Sequence, residues 1–233
     1  MDYMTLGMEN IFTIMLFIAG LLIVSYAQNK VSSNYKNYKT IKIKSNISGV
    51  EVARKILDAN GLKDVHVVKI KGELTDHYDP SRKVVRLSNH IFNEETIASV
   101  AVAAHECGHA LQDKDGYIFM KIRSMLVPVV NFITYIGYAV ALISLMAGVT
   151  GYLMVGILIV LMAVIFQLIT LPVEFDASKR ALIELEKLSI IDKEEKESAK
   201  EMLDAAAFTY VASFISSVMN LLRLIIMVRG RDD

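Results

Sequence analysis

Four long apolar runs divide the chain, and stretches with shorter hydrophobic periods lie between them. From Leu126 to Val173 no charged side chain occurs. A helix rises about 1.5 Å per residue, so about 20 apolar residues cross a hydrocarbon core of about 30 Å. Leu126–Ala147 and Gly151–Leu171 each reach that length, with Gly148, Val149, Thr150 and Gly151 as a tight turn and Pro172 marking the second exit. The pattern predicts a transmembrane hairpin, and its length disfavours a buried helix pair in a soluble core. Ile11–Ala27 is a third run, at the short end of the spanning range. No basic segment precedes it, and Asp2 and Glu9 are acidic, so a retained anchor fits better than a signal peptide. Ala206–Val228 is a weaker fourth run containing Asn220 and Arg223. A span is expected there, with Arg223 snorkelling near an interface; a docked or interfacial helix is the alternative.

The polar stretch from Gln28 to Met125 has the periods of a small α+β domain. Ser48 is expected to cap a helix over Val50–Ala59 that stops at Gly61. Val65–Ile70 and Val84–Leu87 are strand-like, with Asp79, Pro80 and Ser81 as turn chemistry between them. A second helix is expected from about Glu94 to Gln112, capped by Asn93. Beyond the hairpin, one helical stretch runs from Val173 to Leu188 and another starts at Asp192. The acidic run Asp192–Glu201 reads as a solvated helix face carrying Glu/Lys pairs.

Composition narrows the class. The 233 residues are 54% hydrophobic, too apolar for an ordinary soluble domain. Cys107 is the only cysteine, which excludes a disulfide-stapled secreted fold. The formal net charge of zero gives no reason to expect a nucleic-acid partner. The charge is nevertheless uneven: Gln28–Met125 holds 16 basic and 11 acidic residues, whereas Val173–Ala205 holds 6 and 10. Lys30, Lys36, Lys39, Lys42 and Lys44 follow the first apolar run closely, so the positive-inside rule places Gln28 onward in the cytosol.

The chemistry concentrates in His105-Glu106-Cys107-Gly108-His109, inside the second expected helix. Histidines four apart project from one helical face, one turn apart, which suits two nitrogen ligands of a Zn²⁺ ion. Glu106 lies next to the first, where it can act as general base on a water at the metal. Random order of this composition would produce the HExxH pattern only about 0.005 times per chain, so a chance match is set aside. A catalytic zinc usually takes three protein ligands. The extension HExxHxxGxxH fails, because Gln112 stands where glycine would be and no histidine follows. His66, His77 and His90 all lie upstream. Glu174 is the strong candidate, since two membrane crossings return the chain to the side it left. Asp176 is the runner-up; two residues on in a helix it points about 200° away, so both cannot easily bind one ion. Cys107 reads as a small buried residue. His77 and Tyr78 lie in an expected surface turn, with an oxyanion donor as the alternative role.

Three motifs now carry a resemblance. AAHECGHALQ, the upstream TDHYDPSRKVVRLS, and LPVEFDASKRAL after the apolar hairpin resemble the YugP-type neutral zinc metallopeptidases of bacterial membranes. The order of HExxH, membrane hairpin and glutamate is more distantly similar to the HtpX heat-shock proteases and the CAAX prenyl-proteases. In HtpX-like relatives the third zinc ligand is the glutamate of an E-x-x-A-D sequence, which implies Glu174, with Ala177 at the alanine and Ser178 where those proteins have aspartate.

Together these observations predict a mainly α integral membrane protein whose transmembrane helices accompany a small α+β, zincin-like cytosolic catalytic domain carrying an HExxH helix. The expected divisions are an anchor (1–27), the catalytic domain (28–125), the hairpin (126–172), cytosolic helices bearing the third ligand (173–205) and a C-terminal apolar helix with its tail (206–233). The expected activity is that of a gluzincin-like zinc endopeptidase of the cytoplasmic membrane: Glu106 as general base, His105, His109 and Glu174 as metal ligands. Its partners would be a peptide or protein substrate and the lipid bilayer. The strand Val84–Leu87 is expected either to bind an extended substrate by strand addition or to pack the core. A zinc-bound scaffold without activity is the alternative function. An active site inside the bilayer is disfavoured, because Glu94, Glu95, Asp113 and Asp115 flank the motif helix.

Overall fold

Each apolar run is part of a longer helix that also takes in neighbouring polar residues. The computed structural model describes residues 3–146 and 152–232, so the turn expected at Gly148–Gly151 lies outside the described residues. The elements are α1 (Tyr3–Tyr38), α2 (Gly49–Ala59), β1 (His66–Ile70), β2 (His77–Asp79), β3 (Val84–Ser88), α3 (Asn89–Asn93), α4 (Ile97–Lys114), α5 (Ile118–Met146), α6 (Tyr152–Lys187) and α7 (Lys193–Asp232). Four of these helices, α1, α5, α6 and α7, are long and apolar enough to cross a membrane. The protein is therefore mostly helical, with a small three-stranded sheet and four candidate spans. Pro172 does not end a helix: α6 continues through it to Lys187.

The chain divides into two units. One comprises Met1–Gln28, Ile122–Thr170 and Thr209–Asp233. Its large apolar side chains face outward, with Phe132 67% and Tyr135 77% exposed, as lipid-facing surface requires. Gly20 lets α1 and α7 approach, since a Cβ there would meet the Ser216 hydroxyl. The Arg223 guanidinium stacks 4.8 Å from the centroid of the Phe17 ring, a partner for the one charge within the fourth apolar run.

The other unit comprises Asn29–Lys121 and Leu171–Phe208. Its sheet has the order β1-β3-β2, with β1 parallel and β2 antiparallel to β3. Two features correct the sequence reading. The segment around His77 and Tyr78 is a short strand, not a surface turn, and its register pairs Tyr78 with Val85. Strand β3 is the central strand, paired on both sides, so Val84–Leu87 offers no edge for strand addition and serves the core instead. β2 escapes the hydrophobic pattern because three residues are too few to alternate. It is held by Asp76, whose half-buried carboxylate accepts from the Ser88 backbone N–H (2.6 Å) and hydroxyl (3.1 Å).

Ser48 precedes α2 as expected, with its backbone N–H donating to the Glu51 carboxylate at 2.8 Å. Gly61 follows the helix with φ of +75°, which favours glycine. Helix α4 starts later than expected. Thr96, not Asn93, caps it by accepting the Ser99 N–H at 3.2 Å, and Asn93 ends the separate short helix α3. The acidic run is also not simply solvated. Glu195 is buried and accepts N–H groups from Lys44 (2.6 Å) and Asp192 (3.0 Å), while Glu201 accepts the Tyr38 hydroxyl at 2.7 Å. The start of α7 is thereby fastened to the chain that leaves α1.

Candidate metal centre

Helix α4 is buried on nearly every side because its sequence is small: Ala98, Ala101, Ala103, Ala104 and Gly108 let neighbouring backbones come close. Gly108 is the tightest point. A Cβ there would overlap the Ala177 carbonyl of α6, so only glycine permits this crossing. The close approach sets Glu174, one turn before Ser178 on α6, against the histidine face of α4. Cys107, on the opposite side of the motif, is fully buried against α2 with its thiol 3.6 Å from the Ala53 carbonyl. Burial raises its pKa, so it is an unreactive packing residue.

The three side chains that the sequence singles out as ligands converge. His105 Nε2 lies 3.3 Å and His109 Nε2 3.7 Å from the same Glu174 oxygen, Oε2. All three ligand atoms fall within 4.8 Å of one another. The two imidazoles meet edge-to-face with centroids 4.7 Å apart, as i and i+4 residues of one helix can. Glu174 is 2% exposed and His109 6%. A carboxylate and two imidazoles gathered so deeply fit a divalent cation far better than an ordinary core, where such groups are costly to bury.

Both positions at which the sequence departs from related motifs turn out to support the histidines. Ser178, which replaces the aspartate of HtpX-like sequences, places its hydroxyl 3.2 Å from His105 Nδ1. Gln112, which occupies the glycine position of the longer histidine motif, places Oε1 3.0 Å from His109 Nδ1. Each ring is thus held at Nδ1, leaving Nε2 for the shared centre. Asp176 is directed elsewhere: it accepts from Gln112 Nε2 (2.8 Å) and Arg180 Nε (2.6 Å). Sequence spacing had a signal for Gln112, three residues beyond His109 on the same helical face, but none for its partners across α6.

Glu106 is buried beside the cluster, and its pKa is pushed up to about 7. Burial is the main cause and the nearby Glu174 charge adds to it, while His105 and the backbone N–H of Tyr78 act in the opposite direction. The Tyr78 hydroxyl donates to Asp113 at 2.7 Å. His77 is exposed, with Nδ1 2.8 Å from its local Thr75 carbonyl, and His90 packs edge-on against Tyr35. Neither joins the centre.

Comparison with known proteins agrees with this geometry. Residues 13–229 match a family described as "Putative neutral zinc metallopeptidase". The chain is 43% identical over 221 residues to a protein of Bacillus subtilis (strain 168) named "Putative membrane protease YugP", covering 94% of this chain and 98% of that protein. No solved structure gives a significant match.

Proposed function

Because the chain belongs to the family of neutral zinc metallopeptidases, we propose that it is a membrane-embedded, zinc-dependent endopeptidase that hydrolyses peptide bonds of membrane or cytosolic proteins. The observation that carries this reading is the convergence of His105, His109 and Glu174 with Glu106 buried beside them. Two imidazole nitrogens and one carboxylate oxygen are a donor set suited to Zn²⁺, and three protein ligands leave room for chemistry. That ligand set is gluzincin-like, and the unit that carries it is read as zincin-like. When bound, zinc would supply Lewis acidity, polarising the scissile carbonyl and lowering the pKa of a water.

The chain's own residues account for the remaining work. Glu106 takes the proton of the attacking water at its carboxylate and delivers it to the leaving amine nitrogen. A carboxyl group placed there can accept a proton and then return it, as general acid–base catalysis requires. The Tyr78 N–H holds Glu106 from the edge strand β2. An extended substrate would pair with the outer edge of that strand, since β3 is enclosed. The basic residues after α1's apolar run support a cytosolic position for this unit, in a multi-pass protein of the cell membrane. A reporter fused after Ala27 should therefore be cytosolic; an external signal would reverse the orientation.

The deciding experiment combines elemental analysis with proteolysis. Full-length protein purified in detergent should carry about one zinc per chain and cleave an unfolded protein such as casein. Glu106→Gln should keep the zinc and lose cleavage. Absence of zinc from the parent, or equal cleavage by the variant, would sink the proposal. A variant that binds zinc, does not cleave, and still performs the cellular role would establish the scaffold function instead.

A further inference from the structure

The two histidines of the centre are supported in different ways. A serine hydroxyl can donate or accept, so Ser178 does not select a tautomer of His105. Gln112 does select one for His109. It is fully buried, and its Nε2 donates to the Val173 carbonyl (2.8 Å) and to Asp176 Oδ2 (2.8 Å). Both partners only accept, so flipping the amide would aim its oxygen at two other oxygens. Oε1 is therefore the atom that faces His109, and as an acceptor it requires the proton on Nδ1. The lone pair is left on Nε2, on the side of Glu174.

The chain of bonds continues past Gln112. Asp176 Oδ2 also accepts from Arg180 Nε at 2.6 Å, and Arg180 Nη1 donates to Asp115 Oδ2 at 2.5 Å. Asp115 is the C-cap of α4, the helix on which Gln112 and both histidines stand. The bonds thus leave α4, run one turn along α6 and return to α4, bracing the two helices that carry the candidate ligands. The outer end is accessible, because Arg180 and Asp115 line an open cleft of about 180 Å³.

We infer that Gln112, Asp176 and Arg180 form a positioning relay that fixes the tautomer of His109 and the seating of α4 against α6, and so sets the affinity of the centre for its metal. The inference rests on the metal-binding reading above. Supporting groups around metal-ligating histidines are worth about 10- to 100-fold in affinity.

The test is a zinc titration of full-length, detergent-purified protein against a chromophoric chelator. Gln112→Met keeps the side-chain volume and removes the three bonds that Gln112 makes, to His109, Val173 and Asp176; zinc affinity should fall about 10- to 100-fold. Asp176→Ala should weaken binding in the parent and add less than its parental loss in the Gln112→Met background, because part of its action passes through Gln112. Ser178→Ala, on the other histidine, should combine with Gln112→Met multiplicatively. Zinc affinity of Gln112→Met within twofold of the parent, or Asp176→Ala and Gln112→Met losses that multiply, would overturn the relay. Should Gln112→Met fail to fold, Asp176→Asn and Arg180→Lys replace it: severalfold, non-additive weakening supports the relay, and parental affinity in either overturns it. A parent that binds no zinc defeats the metal reading itself, whereas a zinc-binding parent with an indifferent Gln112→Met defeats only the relay.

Discussion

The two units of the protein handle polar groups in opposite ways. In the unit built from Met1–Gln28, Ile122–Thr170 and Thr209–Asp233, large side chains such as Leu22, Phe132 and Tyr135 are exposed. Polar groups are scarce there, and Arg223, the charge within the fourth apolar run, lies over the Phe17 ring. The unit that carries the candidate centre buries its apolar residues and encloses Glu106, His109, Gln112, Glu174 and Ser178 among them. In lipid a side chain is stable when it resembles its surroundings, and most apolar residues meet that condition equally well. In a water-excluded interior each polar group needs a specific partner, and removing one leaves the other exposed to the full cost of burial. Substitutions should therefore act locally and sharply in the second unit and weakly in the first.

The largest effect is expected from the candidate ligands. Glu174→Ala or His109→Ala should reduce zinc from about one ion per chain to a small fraction, as read by elemental analysis; Asp176→Ala should reduce it less. Full occupancy in Glu174→Ala would remove that carboxylate from the centre. Next comes Glu106→Gln, with cleavage lowered about 10²- to 10⁴-fold at unchanged zinc content. A pair of glycines then contrasts the units directly. Gly108→Ala forces a Cβ into the Ala177 carbonyl and should destabilise its unit by about 1–3 kcal/mol in thermal melts. Gly156→Ala meets nothing nearer than Leu224 at 3.8 Å and should leave the melting curve unchanged. Equal effects of the two alanines would erase the contrast.

The smallest effect concerns pH in chelator-treated protein. The folded-state pKa of Glu106, about 7, lies above the ordinary value of 4.5. Between those values the folded state binds the extra proton, so the stability linked to this group is complete below about 4.5 and is lost as pH rises through about 7. The neutral amide of Glu106→Gln has no such dependence. The melting temperature of the variant should therefore gain on that of the parent across this window, and a constant difference would contradict the burial of the charge.

The sequence was legible wherever a property repeats along the chain. The apolar runs announce candidate spans by length, and His105 and His109 share a face because any helix puts i and i+4 together. Glu174 was within reach of the same logic, since an even number of crossings returns the chain to its starting side. Strand β2 was not legible, because its three residues are stabilised by Asp76 and β3 rather than by a pattern of their own. The acidic run was misjudged for a similar reason: Glu195 and Glu201 look like solvated helix residues until Lys44 and Tyr38 are brought against them.

What the amino-acid order determined by itself was periodic and local: which segments are apolar enough for a bilayer, which helix carries the histidines, and which acid stands between them. What only the tertiary structure decided was pairwise. Gly108 matters because of the Ala177 carbonyl, Ser178 because of His105, and Gln112 because of His109 on one side and Asp176 on the other. Helical periodicity is a property of one segment, whereas a hydrogen bond across two helices depends on their crossing point. That crossing is set by side-chain volumes summed over the whole contact.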